Sequence, residues 1–415
     1  MSGLLDGVRV IEVALLAPDA LGMHLADLGA DVIKVEPPGR GDYVRQIGGI
    51  TVDGVSPLHR RWNRGKRSLA LDLRTPDGVE TFKELAAVSD VVVEGLRAGS
   101  LARRGVGFDD LLAVNPKIVF AAMSGYGQTG PYRDLASHGV AYDAFAGLIP
   151  PVPGPGGFVA FGRPPSVGTA VGPLFGALAV CAAVIRARAS GEGCMLDVAQ
   201  VDAAVAWNTH DLELAGARAV GAKIEVTMTP TSEAPATEGA EDGREGLVRM
   251  ADSVRYQYYP TKDDGYFLFM ASERKFWENF ARAVGREDLL ERYPSAEVGD
   301  HARGNLALRA ELTEIFQTRT RREWVELFLT ANVPGIPVYL GTEMVDDPHF
   351  KARARMLDAE AHRMGGLGIP IQASVELPDP APAPTVGQHT AEVLRSVLGY
   401  DDDRIAKLRA TGALG

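Results

Sequence analysis

Cysteine is almost absent from this sequence. Cys181 and Cys194 are the only two in 415 residues and lack CxxC spacing, so neither a disulfide framework nor a cysteine-rich zinc site is available. Both read as buried thiols in apolar surroundings. Net positive charge is missing too: 43 Lys and Arg stand against 54 Asp and Glu, a formal charge of −11. A nucleic acid is therefore not an expected partner, because phosphate-backbone affinity needs a basic face. No apolar stretch reads as a membrane span of roughly 18 residues, and Met1-Ser2-Gly3-Leu4-Leu5-Asp6 lacks a basic segment followed by an apolar one. The expectation is a cytoplasmic chain with no membrane partner. The first strand–helix turn, residues 14–22, has one glycine where a dinucleotide fold needs G-x-G-x-x-G. No His, Cys and Asp set has metal-ligand spacing, so no metal is expected. Finally, no Asp or Glu occurs between Asp143 and Glu192.

What is present is an alternation. Residues 8–14, 31–36, 68–73, 90–93 and 117–122 are short apolar runs of strand type with amphipathic stretches between them. Pro18 opens one of those stretches, and Pro76 takes the first helical position of another that runs through residue 87. Strands alternating with helices predict an α/β fold with a Rossmann-like parallel sheet and right-handed crossovers. Residues 172–189 follow as a long apolar helix, and 194–199 return to the sheet. Residues 227–246 are rich in Thr, Pro, Ala, Gly and acids, with few large apolar side chains. Beyond them, 256–259 and 266–270 flank Thr261-Lys262-Asp263-Asp264-Gly265, a hairpin signature, and helices are expected over 274–284 and 306–328. The reading is a large domain whose N-terminal part is 1–200, a helix and flexible linker at 201–247, a smaller α+β domain at 248–335, and a linker that begins at 336.

Arg60, Arg61, Arg64, Lys66, Arg67 and Arg74 fall within fifteen residues, and Arg97, Arg103 and Arg104 follow Glu94-Gly95-Leu96. Guanidinium groups make paired, charge-assisted hydrogen bonds to phosphate, so in an acidic chain such a cluster suits a polyphosphate ligand. The plain alternative is a solvated charged face. His138 is either a satisfied surface histidine or a proton carrier, since imidazole titrates near neutral pH.

Ser124-Gly125-Tyr126-Gly127-Gln128-Thr129-Gly130-Pro131-Tyr132, Ala136-Ser137-His138-Gly139 and Tyr142-Asp143, together with Gly7-Val8-Arg9-Val10-Ile11-Glu12 and Gly29-Ala30-Asp31-Val32-Ile33-Lys34-Val35-Glu36, resemble the family III CoA-transferases of CaiB/BaiF type. The resemblance covers nearly the whole chain, and the family includes the α-methylacyl-CoA racemases. It implies coenzyme A or an acyl-CoA as substrate with no permanently bound cofactor, and a carboxylic acid as acceptor. It also implies a tail at 336–415, through Val386-Gly387-Gln388-His389-Thr390, that returns to the large domain of an interlocked homodimer.

Residue by residue, the resemblance assigns Leu73 and Arg74 to adenine and phosphate contacts. Gly95 and Arg97, with Arg103 six residues on, belong to the CoA-binding set, as do Arg40 and Tyr142. In the racemases a histidine matching His138 takes the α-proton of the thioester, oriented by a glutamate matching Glu273. The family's catalytic aspartate falls on Thr169. That aspartate is the nucleophile of a transferase and the second acid or base of a racemase, and a threonine hydroxyl is poorly suited to either task.

Three readings follow. The first is α-carbon proton chemistry on an acyl-CoA by His138, racemase- or isomerase-like. The second is CoA transfer between carboxylic acids with a carboxylate from elsewhere, Asp143 being the nearest. The third is non-catalytic acyl-CoA binding.

Overall fold

The computed structural model describes residues 3–223 and 249–414, so the acid- and proline-rich stretch at 227–246 lies outside the described residues. The chain forms two compact units: Met1–Thr209 with Arg353–Gly415, and His210–Ala352. The smaller unit therefore extends beyond the 248–335 expected for it.

In the first unit, β1 (Arg9–Ala14), β2 (Asp31–Glu36), β3 (Lys66–Ala70), β4 (Val91–Gly95) and β5 (Val119–Ser124) belong to one parallel sheet. A small hairpin of β6 (Pro151–Pro153) and β7 (Val159–Phe161) precedes the last sheet strand, β8 (Cys194–Ala199). The order is β3-β2-β1-β4-β5-β8. Between strands run α1 (Asp19–Asp27), α2 (Pro57–Trp62), α3 (Pro76–Ala87), α4 (Phe108–Val114), α5 (Gly139–Phe145) and α6 (Val167–Ser190), with α7 (Gln200–Trp207) after β8.

The central strands β1, β4 and β5 are largely apolar because both sheet faces are covered there. The two-residue repeat sorts their side chains: Val10, Val32, Val91, Val93, Val119 and Met123 pack with α1 and α6, whereas Ile11, Ile33, Val92 and Phe120 pack with α3 and α4. Residues 380–414 finish the β3 edge. Gly65 N donates to Ala381 O (2.7 Å), His389 N to Ser68 O (3.0 Å) and Asp72 N to Ala413 O (2.9 Å). Val393, Leu394, Ile405 and Leu408 then join Phe82 and Leu85 in one core.

α6 corrects the expectation that no segment is long enough to span a membrane. It runs for 24 residues and passes that test on length and composition, because Gly168, Gly172, Pro173 and Gly176 punctuate the run without adding charge. Its inner face, with Ala177, Val180, Ala183, Val184 and Ala187, is buried on the sheet. Its outer face exposes Leu174, Phe175, Leu178 and Ile185.

Beneath the loop after β1 lies a buried ionic cluster. Lys34 Nζ donates to Asp19 (2.6 Å), Asp42 (3.0 Å) and the Ala14 carbonyl (3.0 Å). Lys66 Nζ donates to Glu12 (2.5 Å), the Asp19 carbonyl (2.7 Å) and Asn63 (3.1 Å). Burial lowers the Lys34 pKa, but Asp19, Asp42, Glu12 and Glu36 outweigh it and hold the ammonium above its ordinary range. Burial pushes Asp42 up to about 6; Lys34 opposes the shift and Asp19 adds to it.

The second unit carries an antiparallel sheet of β9 (Tyr256–Pro260), β10 (Tyr266–Met270) and β11 (Gly335–Val338), in order β11-β10-β9. The β9–β10 hairpin falls where the sequence puts it. β11 lies at the edge of the expected domain and extends three residues into the segment read as linker. The single helix expected over 306–328 is instead two, Leu306–Phe316 and Arg321–Ala331. Thr320 caps the second one, and Glu323 returns a bond to the Thr320 amide, so the chain restarts there. Phe316 stacks on Tyr259 and Phe280, with centroids at 4.8 and 5.7 Å.

Candidate active site

Strand order reverses between β1 and β4, and open parallel sheets bind ligands outside the carboxyl ends of the strands at such a point. A cleft of about 550 Å³ opens there, lined by the segments after β1 (Leu15 to Pro18), β4 (Gly95 to Ala98) and β5 (Gly125, Tyr126). Gly95 permits this convergence, since a Cβ on it would stand 2.5 Å from Ala14 Cβ and 2.6 Å from Pro18 Cβ. Leu16 takes the left-handed region at φ 65°, a strained conformation for a branched side chain. The neighbouring Ala14 carbonyl is fixed by Lys34.

Arg97, Arg104 and Arg133 line the cleft. Arg104 Nη1 donates to Ser100 O (2.7 Å). Arg103 is not among the lining residues but braces the same loop, donating to Ala98 O (3.1 Å) and Ser100 Oγ (3.1 Å). Elsewhere in the cleft are His138, Tyr142, Thr169 and Gln200. Tyr142 is buried, with its hydroxyl 3.0 Å from Ser137 Oγ and 3.4 Å from Gln200 Nε2. Burial raises its phenol above the usual range, opposed by the Ser137 bond. His138 is exposed and precedes α5. Thr169 stands in the first turn of α6, its hydroxyl donating to Ser166 O (3.1 Å). Gly139 brings the histidine loop against it, because a Cβ there would meet Thr169 Cγ2 at 2.5 Å.

The structure thus gathers Gly95, Arg97, His138, Tyr142 and Thr169 around one cleft and leaves other expected residues outside it. Arg40 is exposed, Leu73 packs on the core, and the Arg74 side chain is 77 % exposed and paired with Asp72 at 2.7 Å. None of the three is a lining residue. Much of the basic run serves internal pairs: Arg64 with Asp27, Lys66 with Glu12, and Arg67 with Asp31. Glu273 belongs to the second unit, where it precedes the helix Arg274–Ala283 and accepts from the Ser272 hydroxyl (3.2 Å). Asp143 cannot supply a transferase's carboxylate. It is fully buried and accepts from Val167 N (3.1 Å) and Gly168 N (2.8 Å), capping α6. The sequence reading missed Gln200 and Arg133, and neither carries a motif that would single it out.

The chain matches CoA-transferase family III over residues 5–390. It belongs to that family. The human succinyl-CoA:glutarate CoA-transferase is 30% identical over 421 residues, covering 99% of this chain and 90% of the relative. The succinyl-CoA–D-citramalate CoA-transferase of Chloroflexus aurantiacus is 31% identical, covering 98% and 97%. A CaiB/BaiF family protein from Brucella suis superposes with a TM-score of 0.70 at 26% identity, covering 95% of this chain and 99% of that one. These relatives favour the transferase reading over the racemase-like one that the sequence put first. CoA-transferases act on CoA thioesters. Replacing Arg97 by Ala should weaken CoA binding by about 1.5–3 kcal/mol, typical of hydrogen bonds to charged groups. Calorimetry finding an unchanged Kd would remove Arg97 from the site.

Proposed function

We propose that this family III enzyme moves CoA from an acyl-CoA to a carboxylic acid in the cleft between β1 and β4, within a homodimer. The observation that carries the reading is the cleft itself. It combines arginines suited to the phosphates of CoA with His138, Tyr142, Thr169 and Gln200, hydrogen-bonding side chains suited to a thioester. The exposed apolar outer face of α6, with Leu174, Phe175, Leu178 and Ile185, supports an assembled state in which a second copy covers it. The test is incubation of succinyl-CoA with glutarate, malate and citramalate, followed by mass spectrometry of the CoA thioesters. A new thioester matching the added acid is the expected result, and none from any acid would overturn the reading.

One observation favours a second reading, proton exchange at the α-carbon: His138 lines the cleft together with Thr169, the position to which the sequence resemblance assigns the family's aspartate. A single base would exchange the α-proton faster than it inverts configuration. The same incubations in deuterium oxide, with and without the acid, separate the two. Label at the α-carbon without a new thioester supports exchange, and loss of that label in His138→Ala assigns it to the imidazole.

A further inference from the structure

Gln200 is 3 % exposed, yet its side-chain Oε1 has no hydrogen-bond partner, and the residue lines the cleft together with Thr169. It packs beneath the first turns of α6, where a Cβ on Gly172 would meet Gln200 Cγ at 3.0 Å and one on Gly168 would meet the Gln200 carbonyl oxygen at 3.2 Å. The other amide atom reaches the Tyr142 hydroxyl, which in turn meets Ser137. A half-turn of the amide keeps this chain intact. Ser137 then donates to Tyr142 and Tyr142 to Gln200 Oε1, which leaves the NH2 group as a donor without a protein partner. Leaving a buried amide group unpaired is unfavourable, and a ligand oxygen relieves that cost.

The acids around this cleft complete the argument. Among the described residues, Asp134 is the only carboxylate lining it, and its side chain is 82 % exposed, 3.8 Å from Arg133. Asp143 is consumed in capping α6.

Building on the transferase reading, we infer that the nucleophile is the acceptor acid itself, its carboxylate held by Gln200 beside Thr169, and that CoA moves within a ternary complex without a covalent enzyme intermediate. An acceptor oxygen bonds to the thioester carbonyl carbon, and the C–S bond breaks with its electron pair leaving on CoA sulfur. The product is a mixed anhydride of the two acids. The thiolate then attacks the acceptor's carbonyl carbon, and the C–O bond breaks with its pair leaving on the donor carboxylate. No proton or electron is gained or lost, and one acceptor oxygen ends on the released donor acid. In a route through an enzyme carboxylate, that oxygen would instead enter the protein.

The experiment is a single turnover of unlabelled succinyl-CoA by excess enzyme with glutarate carrying 18O in both carboxylates, followed by the masses of succinate and protein. One 18O in succinate and none in the protein is the expected result. Label in the protein, or a hydroxylamine-sensitive adduct, overturns direct attack while leaving CoA transfer standing. No glutaryl-CoA from this pair, and no new thioester from any acid of the wider panel, overturns the transferase reading and direct attack with it. Gln200→Leu should raise KM for the acceptor acid about tenfold, as expected for one lost bond to a charged group, with KM for the acyl-CoA unchanged. A circular dichroism melt like the parent's shows that the variant is folded, and an unchanged acceptor KM would remove Gln200 from the inference.

Discussion

Lys34→Met should destabilise the first unit by about 3–5 kcal/mol, the range seen when one partner of a buried ion pair is removed. The methionine fits the space but leaves Asp19 and Asp42 buried without the ammonium they share. It also frees the Ala14 carbonyl just before the strained turn at Leu16. Hydrogen exchange read by mass spectrometry localises the effect. Peptides spanning residues 8–36 should lose protection, and peptides spanning 256–338 in the other unit should keep theirs. Adding Asp19→Asn should recover part of the loss, because it removes one of the carboxylates left behind. Parent-like protection of residues 8–36 in Lys34→Met would show that the cluster contributes little to stability.

Thr169→Asp should change the route of catalysis. The new carboxylate would stand at the head of α6, where a negative charge is favoured by the helix dipole, although Asp143 already caps that end. With a nucleophile in place, one difficult displacement divides into two easier ones. We expect CoA transfer to rise about tenfold, or ~1.4 kcal/mol off the barrier. The protein should now take up one 18O from a labelled acceptor and form a hydroxylamine-sensitive adduct at residue 169. Thr169→Asn, similar in size but without the nucleophile, should do neither. A Thr169→Asp protein that is no faster and takes no label would mean that the thioester does not react beside α6.

Most of the sheet was legible because β1, β2, β4 and β5 each hold a short apolar run, whereas β3 begins earlier than its run, at Lys66 and Arg67; the helices were legible because Pro18 and Pro76 mark starts that the structure confirms. Periodicity could not supply the strand order, which depends on pairings between β1 and β4 about eighty residues apart. Within the cationic run at 60–74, the division between internal pairs and exposed groups was not legible, for a physical reason. A count of charges does not distinguish a lysine that faces solvent from Lys66, whose partner Glu12 is 54 residues away. Gln200 was invisible because nothing in the residues around it reports that one end of its amide goes unpaired. His138 and Thr169 were singled out through motifs, and the close approach of the loop after His138 to α6 rests on Gly139, whose missing side chain leaves room for Thr169.

The closing of the β3 edge by residues 380–414 sets an order on synthesis. Residues 3–209 emerge from the ribosome with the surface around Phe82 and Leu85 still uncovered, since Val393, Leu394, Ile405 and Leu408 have not yet been made. The second unit, His210–Ala352, is one contiguous stretch and can fold while its neighbour waits. Contacts such as Ser68 with His389, over 300 residues apart, require a long loop to close before the first unit is finished, and such non-local pairing slows folding in general. During that delay an exposed apolar surface and an unfinished sheet edge invite wrong partners, so the nascent chain is most in need of chaperones just before its last helices appear.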